Sequence, residues 1–403
     1  MPFQLAQRMS LLGTESAFEV LARARAMAPQ LEKQGRPLIN LGIGAPDFQT
    51  PANIVAAGQK ALADGYHFYT PAKGLPELRE AVCEDIAKRR GVKVHADQVL
   101  IVPGGKPTMY YAISMFGEPG VEILYPNPGF PIYESLIKYT GATPVAIPLL
   151  EDTGFSFDPQ FVLSKITPRT RLLILNTPAN PTGGVVGRRE LDVLVKGLEK
   201  HPHVTVLADE IYSRLIYDGL EHVSLLAYES IRDRVILLDG WSKTFSMTGW
   251  RLGYGVWPKE LVAHAERLQI NSVSCTSAHS QIAAIEALRG PQDAVERMVT
   301  AFDERRKLIV DGLNAIPGFR CVMPRGAFYA MPNVQGTGMS AKQLQEFLLV
   351  ECGVATVSGT AFGAHGEGYL RFSYASSTDN IREALRRMRE ALSKRPVLSG
   401  AKG

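Results

Sequence analysis

The sequence has few cysteines and no long hydrophobic run. Its four cysteines, Cys83, Cys275, Cys321 and Cys352, are far apart and form no C-x-x-C pair. This spacing argues against a zinc site or a disulfide framework, so we expect no metal and reduced thiols, as in a cytoplasmic protein. Arg8 interrupts the N-terminal segment, and no stretch approaches the roughly 20 apolar residues that cross a bilayer. We therefore expect neither export nor a membrane partner.

The sequence also has no large excess of charge of either sign. The chain has 44 basic and 40 acidic residues, a net charge of +4, and the basic residues are spread along it. Such a distribution gives no electrostatic footprint for nucleic acid, which we exclude as a partner. With 45% hydrophobic and 21% charged residues, the composition is that of a globular protein, and 403 residues exceed what one core normally holds. A large domain with a smaller one beside it is expected.

Between about residues 98 and 257 the chain repeats one pattern, in which a short apolar run is followed by glycine or proline and then by helical periodicity. Strands and helices that alternate in this way are typical of βαβ units. Runs so continuously apolar indicate strands that are buried on both faces. The pattern predicts an α/β fold with a mostly parallel seven-stranded sheet and helices on both faces, with strands at 99–102, 121–125, 143–147, 171–175, 204–207, 235–238 and 252–256.

A different pattern follows. Residues 293–316 predict one long charged amphipathic helix. Beyond it, predicted strands at 320–323, 327–331, 354–357 and 369–374 mix with predicted helices at 341–351 and 380–392. This mixture is typical of an α+β domain. We predict a large domain at 46–292 and a smaller α+β domain made of 1–45 and 293–403.

Polar residues follow two of the apolar runs, where ligands collect in α/β sheets. Gly104, Gly105 and Lys106 follow the first run and open a helical stretch, so backbone N–H groups are able to approach an anion. A plain tight turn would have the same sequence. Asp209 follows the run at 204–207, where a buried carboxylate needs a cation or hydrogen bonds. A structural ion pair and a protonated ligand nitrogen both meet that need.

Lys243 is the most informative single residue. It lies among small and aromatic residues, and a desolvated amine loses its proton and becomes a nucleophile toward carbonyl groups. Ser242 and Arg251 nearby are candidate phosphate ligands. Arg371 lies in the middle of the alternating run 369–374, where a guanidinium suits bidentate recognition of a carboxylate. A structural salt bridge at Arg371 would give the same pattern.

Five separated motifs in order resemble the class I aminotransferases of fold type I, the PLP-dependent aspartate, alanine and aromatic aminotransferase family. The motifs cover most of the chain: Gly44-Ala45-Pro46-Asp47-Phe48, Asn180-Pro181-Thr182-Gly183, Asp209-Glu210-Ile211-Tyr212, Ser242-Lys243 with Thr248-Gly249-Trp250-Arg251, and Arg371-Phe372-Ser373-Tyr374. The resemblance implies pyridoxal 5'-phosphate (PLP) as cofactor. It also implies ping-pong transfer of an amino group from an L-amino acid to a 2-oxo acid.

The resemblance assigns the chemistry to a few residues. Lys243 is similar to the catalytic lysine that holds PLP covalently and moves the substrate Cα proton. Asp209 is similar to the partner of the pyridinium nitrogen, whose positive charge makes the ring an electron sink. Asn180 and Tyr212 resemble the hydrogen-bond donors to the phenolic oxygen of PLP, and Arg371 resembles the receptor of the substrate α-carboxylate.

The resemblance also assigns the remaining binding residues. Gly44 and Asn180 complete the α-carboxylate subsite, and Phe130 occupies the position of the aromatic ring that stacks on PLP. Tyr69 resembles the tyrosine that reaches the phosphate from the neighbouring subunit, which implies a homodimer with shared active sites. Gly240 departs from the family pattern, because some members have serine at this position. Without a serine hydroxyl there, the phosphate of PLP has one ligand fewer. The implied phosphate ligands are Gly104, Gly105, Lys106, Ser242 and Arg251.

The sequence leaves the substrate open. Gly104-Gly105-Lys106 resembles a motif of some prokaryotic aspartate aminotransferases, which implies that Lys106 binds a distal carboxylate; alternatively, Lys106 contributes only its backbone to the phosphate. Phe18, Tyr66 and Phe130 would instead favour alanine, branched or aromatic side chains. Two other functions fit the same fold: a carbon–sulfur β-lyase, which uses the same lysine, aspartate and arginine, and a non-catalytic PLP-fold binding module.

Overall fold

The computed structural model describes residues 3–394. The seven predicted strands form one sheet in the order β2-β8-β7-β6-β5-β3-β4, in which β8 is antiparallel to both of its neighbours and the other pairs are parallel. This confirms the predicted α/β class with its mostly parallel sheet. The strands are β2 (Val99–Val102), β3 (Glu122–Asn127), β4 (Thr143–Pro148), β5 (Thr170–Asn176), β6 (Thr205–Asp209), β7 (Val235–Gly240) and β8 (Gly253–Val256).

Five short strands lie outside this sheet. Strand β1 pairs in parallel with β10, and β12 lies between β11 and β9 with antiparallel pairing on both sides. The predicted strand at 354–357 is therefore two strands that belong to different sheets. The bounds are β1 (Ile39–Asn40), β9 (Tyr329–Ala330), β10 (Val354–Ala355), β11 (Val357–Ser358) and β12 (Leu370–Ser373).

The prediction of a strand at 320–323 is wrong. Arg320 forms a single bridge with Asn333, and the backbone N–H and C=O of Cys321 bond to the side chain of Asn314. Because this side chain takes the hydrogen bonds of the segment, no ladder continues from the bridge. The predicted strand at 327–331 is also shorter than expected, since Ala327 has a positive φ of 57° and only Tyr329–Ala330 is extended and paired.

Helices cover both faces of the large sheet and surround the short strands. The predicted long helix is confirmed as α11 (Asp293–Asn314). The other helices are α1 (Ser16–Lys33), α2 (Ala52–Ala63), α3 (Pro76–Arg90), α4 (Lys106–Phe116), α5 (Ile132–Tyr139), α6 (Pro159–Ser164), α7 (Arg188–Leu198), α8 (Trp241–Thr244), α9 (Lys259–Ile270), α10 (Ala278–Arg289), α12 (Ala341–Cys352) and α13 (Thr378–Ser393). Among residues 3–394, no helix is both long and apolar enough to cross a membrane.

The large sheet is buried on both faces, which explains its continuous apolar runs. In β2, Val99 and Ile101 pack into one hydrophobic cluster, whereas Leu100 and Val102 pack into another on the opposite face. A further cluster surrounds Phe302 of α11 and includes residues of β9 and β12. The domain limits at 46 and 292 stay a prediction.

Candidate functional site

A cavity of about 540 Å³ opens beside the carboxyl ends of β5, β6 and β7. A larger cavity of about 640 Å³, around Asp152, Arg188 and Glu221, contains none of the predicted site residues. Amino-terminal, central and carboxyl-terminal parts of the chain all contribute to the smaller cavity. Its walls include these predicted residues: Gly44, Gly105, Lys106, Phe130, Asn180, Asp209, Tyr212, Ser242, Lys243, Arg251 and Arg371.

Lys243 projects into this cavity from α8, the short helix that follows β7. Its Nζ donates a hydrogen bond to the carbonyl oxygen of Gly44. Burial and then the positive charge of Arg371 lower the pKa of Lys243 to about 8. A much larger fraction of the amine is therefore unprotonated at neutral pH than in an ordinary lysine, as a nucleophile requires.

The loop that leads to Lys243 is packed too closely for side chains. A Cβ on Gly240 would lie 2.7 Å from the Cα of Gly253, and one on Gly253 would lie 2.6 Å from the carbonyl carbon of Gly104. Backbone atoms at these distances cannot move aside without shifting β7, β8 or the loop before α4. This packing leaves no room for a side chain at Gly240 or Gly253.

Asp209 ends β6 and is almost fully buried. Tyr133 on α5 donates its hydroxyl proton to Oδ2 of Asp209, and the backbone N–H of Ile211 donates to Oδ1 at 3.3 Å. Burial raises the pKa of Asp209 to about 6, against the opposing effect of the bond from Tyr133. Within residues 3–394 no cation pairs with this carboxylate, so a protonated ligand nitrogen would supply its missing partner.

Tyr133 is a functional candidate that the sequence analysis missed. It follows Phe130 by three residues, and the two rings meet edge to face at 5.8 Å on the cavity wall. The only signal in the sequence is this spacing, which places side chains one helical turn apart.

Two asparagines connect Asp209 with Arg371. Asn176 ends β5 opposite Asp209 in the sheet, and its Nδ2 donates to the carbonyl oxygen of Asp209 at 3.0 Å. Its Oδ1 accepts a bond from the backbone N–H of Asn180 at 2.9 Å. Asn180 Oδ1 accepts in turn from Nη1 of Arg371 at 2.9 Å. The cavity wall between the two charged residues is thus tied together by hydrogen bonds.

Arg371 lies on β12 and is buried. Its guanidinium is placed between the rings of Tyr329 and Phe362, at 4.6 and 4.7 Å from the ring centroids. Nη2 donates to the carbonyl oxygen of Gly42, and Nε has no hydrogen-bond partner among residues 3–394. In the described part of the chain Arg371 forms no ion pair, which argues against the structural salt bridge and favours recognition of a ligand carboxylate.

Tyr329 and Gly42 were not identified from the sequence. The hydroxyl of Tyr329 is 2.7 Å from that of Tyr212, so the ring that packs on Arg371 also holds the hydroxyl of Tyr212. These contacts come from β9 and from the segment after β1, which are distant from Arg371 along the chain.

The opposite end of the cavity collects groups that suit an anion. Helix α4 begins at Lys106, directly after Gly105, so the backbone N–H groups of these two residues precede the helical hydrogen bonds at the cavity wall. Arg251 packs over Gly104, where a Cβ would lie 2.2 Å from Nη2, and Ser242 of α8 is buried beside them. The geometry brings these four predicted phosphate ligands together.

The side chain of Lys106 forms a contact separate from these phosphate ligands. Its Nζ forms an ion pair with Glu15 at 2.7 Å, a contact that the sequence analysis did not foresee.

Tyr69 is not part of the cavity. Its side chain is 90% exposed, and Tyr66 on the same loop also lies outside the cavity walls. The prediction that Tyr69 acts in the site of a neighbouring subunit stays a prediction.

A buried ion cluster lies behind the site and was also missed. Arg90, at the end of α3, donates from Nε to Glu210 at 2.8 Å and from Nη2 to Asp239 at 2.5 Å. Glu210 directly follows β6, and Asp239 lies near the end of β7. Arg90 therefore ties together the two strand ends that carry Asp209 and Lys243.

Replacing Tyr133 with phenylalanine is expected to make cofactor binding more sensitive to acid. The Tyr133 bond favours the charged form of Asp209, so its loss raises the pKa of this carboxyl above about 6. A protonated Asp209 no longer attracts a cationic ligand nitrogen. We expect cofactor affinity to fall about tenfold at pH 6 and less at pH 8, measured by titration with PLP at both values, since one hydrogen bond to a charged group contributes about 1.5–3 kcal/mol.

Tyr125→Phe is the matched control, because it removes a buried hydroxyl that bonds to Asn127 outside the cavity. An equal loss of affinity at both pH values in Tyr133→Phe would contradict a role through the charge of Asp209.

The chain is similar to known proteins over nearly its whole length. Residues 36–388 match the family model described as aminotransferase class I and II. An aspartate aminotransferase of Pyrococcus horikoshii is 39% identical over 96% of this chain and 97% of its own length. Aromatic-amino-acid aminotransferase 2 of Thermococcus litoralis is 36% identical over 90% of this chain and 93% of its own. The crystal structure of the aspartate aminotransferase from Rhizobium meliloti has a TM-score of 0.92 at 34% identity, covering 98% of this chain and 100% of that one.

Proposed function

Since the chain belongs to the class I and II aminotransferases, which transfer amino groups with PLP, we propose that the cavity beside Lys243 is its active site. The observation that carries this assignment is the convergence of three groups on one cavity: the amine of Lys243, the carboxylate of Asp209 and the guanidinium of Arg371. Among residues 3–394, neither Asp209 nor Arg371 has an ion-pair partner. An amine nucleophile, a partner for a ring nitrogen and a receptor for a carboxylate are what transfer from an amino acid needs.

The cavity residues fit PLP at both ends. Asp209 is buried, and no cation of the described residues pairs with it, as expected for a group that pairs with a protonated ring nitrogen. The anion-binding end, with Gly104, Gly105, the start of α4 and Arg251, suits a phosphate dianion. We propose that Ser242 adds a hydroxyl there, that Phe130 packs on the ring, and that Asn180 and Tyr212 bind its phenolic oxygen.

When bound, PLP supplies a carbonyl carbon that takes the amino group and a ring that accepts the electrons left when Cα loses its proton. Arg371, with Asn180 and the segment around Gly44, holds the substrate α-carboxylate and so orients Cα. Lys243 then removes the proton from Cα. Its pKa of about 8 leaves enough unprotonated amine to act as a base near neutral pH.

The reaction as a whole moves an amino group from an L-amino acid to a 2-oxo acid in two half-reactions. The relatives reported above are named as aminotransferases, which disfavours the β-lyase and the non-catalytic binding module. Because those relatives are named for aspartate and for aromatic amino acids, the preferred donor is a separate question.

An absorbance spectrum of the PLP-loaded protein, before and after addition of single amino acids, tests this function. We expect the visible band of lysine-bound PLP to disappear with certain donors, each of which leaves as its 2-oxo acid. A second oxo acid should restore the band. A band that persists while pyruvate and ammonia accumulate would identify a lyase, and the absence of any band would overturn the assignment of PLP.

We further propose that the enzyme is a cytoplasmic homodimer. The loop around Tyr69 supports the dimer, because the side chains of Phe68 and Tyr69 are 84% and 90% exposed. Large aromatic side chains so exposed are typical of a surface that another protein covers. Sedimentation of the PLP-loaded enzyme measures the assembly directly.

A further inference from the structure

The distal wall of the active-site cavity contains an ion pair formed by the protein itself. Nζ of Lys106 lies 2.7 Å from Oε2 of Glu15, the residue that precedes α1. Both side chains line the cavity, and they are only 46% and 19% exposed. Lys106 is also the residue that the sequence offers as a receptor for a distal carboxylate. In the structure the amine of Lys106 is already paired with a carboxylate of the chain, that of Glu15.

The surroundings of this pair are apolar and aromatic. Nζ of Lys106 lies 5.8 Å from the ring centroid of Phe18 and 5.4 Å from that of Phe130. Phe18 is 58% exposed, so its ring offers apolar area that a substrate side chain would cover. The distal wall therefore has no net charge and two aromatic faces.

The charge of Glu15 acts on the interior of the cavity. It opposes the fall in the pKa of Lys243 that burial and Arg371 cause. Lys106 acts on Lys243 in the opposite direction, so the two charges of the ion pair oppose each other inside the cavity.

We propose that Glu15 is a specificity-determining residue, which neutralises Lys106 and makes the active site select amino donors with uncharged, apolar or aromatic side chains over those with a distal carboxylate. This inference rests on the proposed function, because it names the substrate class of that same site.

The physical reason is competition. A donor such as aspartate gains its ion pair with Lys106 only if Glu15 gives up the same pair, and Glu15 then remains nearby as a like charge. An aromatic or branched donor displaces nothing and covers Phe18 and Phe130. A cationic donor would meet Lys106 itself. The uncharged donors alone enter without an electrostatic cost.

Glu15→Gln tests the proposal in the PLP-loaded enzyme. The change keeps the shape of the side chain and releases Lys106 from its ion pair. We expect kcat/KM for aspartate to rise about tenfold, the effect of about 1.4 kcal/mol, and kcat/KM for phenylalanine to change by less than about twofold. Before the change, phenylalanine should be the better donor. A larger value for aspartate in the unmodified enzyme overturns the proposal.

Glu32→Gln is the matched control, because Glu32 lies exposed on the same helix α1, outside the cavity. It changes the net charge equally, so both donors should keep their values. A rise for aspartate in Glu32→Gln as well would assign the effect to overall charge and overturn the proposal.

A second substitution tests whether Lys106 carries the gain. In Glu15→Gln/Lys106→Met the amine is absent, so the ratio of kcat/KM for aspartate to kcat/KM for phenylalanine should lose the whole tenfold gain. If aspartate keeps its gain without Lys106, competition for this amine is not the cause.

Binding of unreactive acids separates this inference from the proposed function. Succinate and 3-phenylpropionate share a carboxylate for Arg371 and differ at the distal end. Calorimetry with the PLP-loaded enzyme should show about tenfold tighter succinate in Glu15→Gln and little change for 3-phenylpropionate. This shift without turnover of any donor would refute the proposed function alone. Turnover with unchanged affinities and an unchanged donor ratio would refute the inference alone.

Discussion

Replacing Lys243 with alanine is expected to reduce amino-group transfer by about 10⁴-fold or more, the upper range for a positioned acid–base group. The half-buried amine of Lys243 has a lowered pKa, and it lines the same cavity as Asp209 and Arg371. In the proposed mechanism its loss removes both the covalent anchor for PLP and the base for the Cα proton. Steady-state rates with the best donor, together with the visible spectrum, measure the two losses.

The result must be distinguished from unfolding. Lys73 is a suitable control, because its side chain is 24% exposed and pairs with Glu266 outside the cavity. Lys73→Ala should therefore retain transfer. In Lys243→Ala a small alkylamine should restore part of the rate by entering the space of the missing side chain. Appreciable turnover of Lys243→Ala without added amine would remove Lys243 from its assigned role.

Replacing Arg90 with methionine is expected to lower the free energy of unfolding by about 3–5 kcal/mol at neutral pH, the usual effect of removing one partner of a buried ion pair. Arg90 is buried and bonds to Glu210 and Asp239, both of which are also buried. Without the guanidinium, two carboxylates remain in the protein interior with too few cations. Urea unfolding of both proteins measures the difference.

The loss should depend on pH in a defined direction. Burial alone would raise the pKa of Glu210, but the charges of His222 and Arg90 outweigh it and lower the pKa to about 2. Because this value is below the ordinary one, Glu210 stabilises the folded protein above its ordinary pKa and loses this effect as pH falls toward 2. In Arg90→Met, burial acts on Glu210 against one opposing charge fewer, so the pKa of Glu210 rises and its carboxyl becomes neutral on acidification. The difference between the two proteins should narrow from pH 7 to pH 5.

An exposed ion pair between α10 and α3, the helix that carries Arg90, is the control. Arg289 pairs with Glu84 of α3, and the two side chains are 44% and 58% exposed. Solvent screens such pairs, so Arg289→Met should cost only about 0–1 kcal/mol. A loss in Arg90→Met no larger than this, or a difference that widens on acidification, would contradict the role of Arg90.

Much of the fold and of the site chemistry follows from local features of the sequence. All seven strands of the large sheet were predicted, because strands buried on both faces must be continuously apolar. Lys243, Asp209 and Arg371 stood out because each is a charged group next to apolar surroundings. The error at 320–323 has a local cause as well, since one side chain, Asn314, takes the backbone bonds of an otherwise strand-like segment.

The sequence by itself therefore determined the architecture and the kinds of groups at the active site. Only the tertiary structure decided how those groups are partnered: Tyr133 with Asp209 across 76 positions, Glu15 with Lys106 across 91, and Arg90 with Glu210 across 120. Hydrophobic periodicity reports how neighbouring residues share a face, and it carries no information about which distant side chains meet. These contacts oppose the rise that burial causes in the pKa of Asp209, neutralise Lys106 and join the ends of β6 and β7.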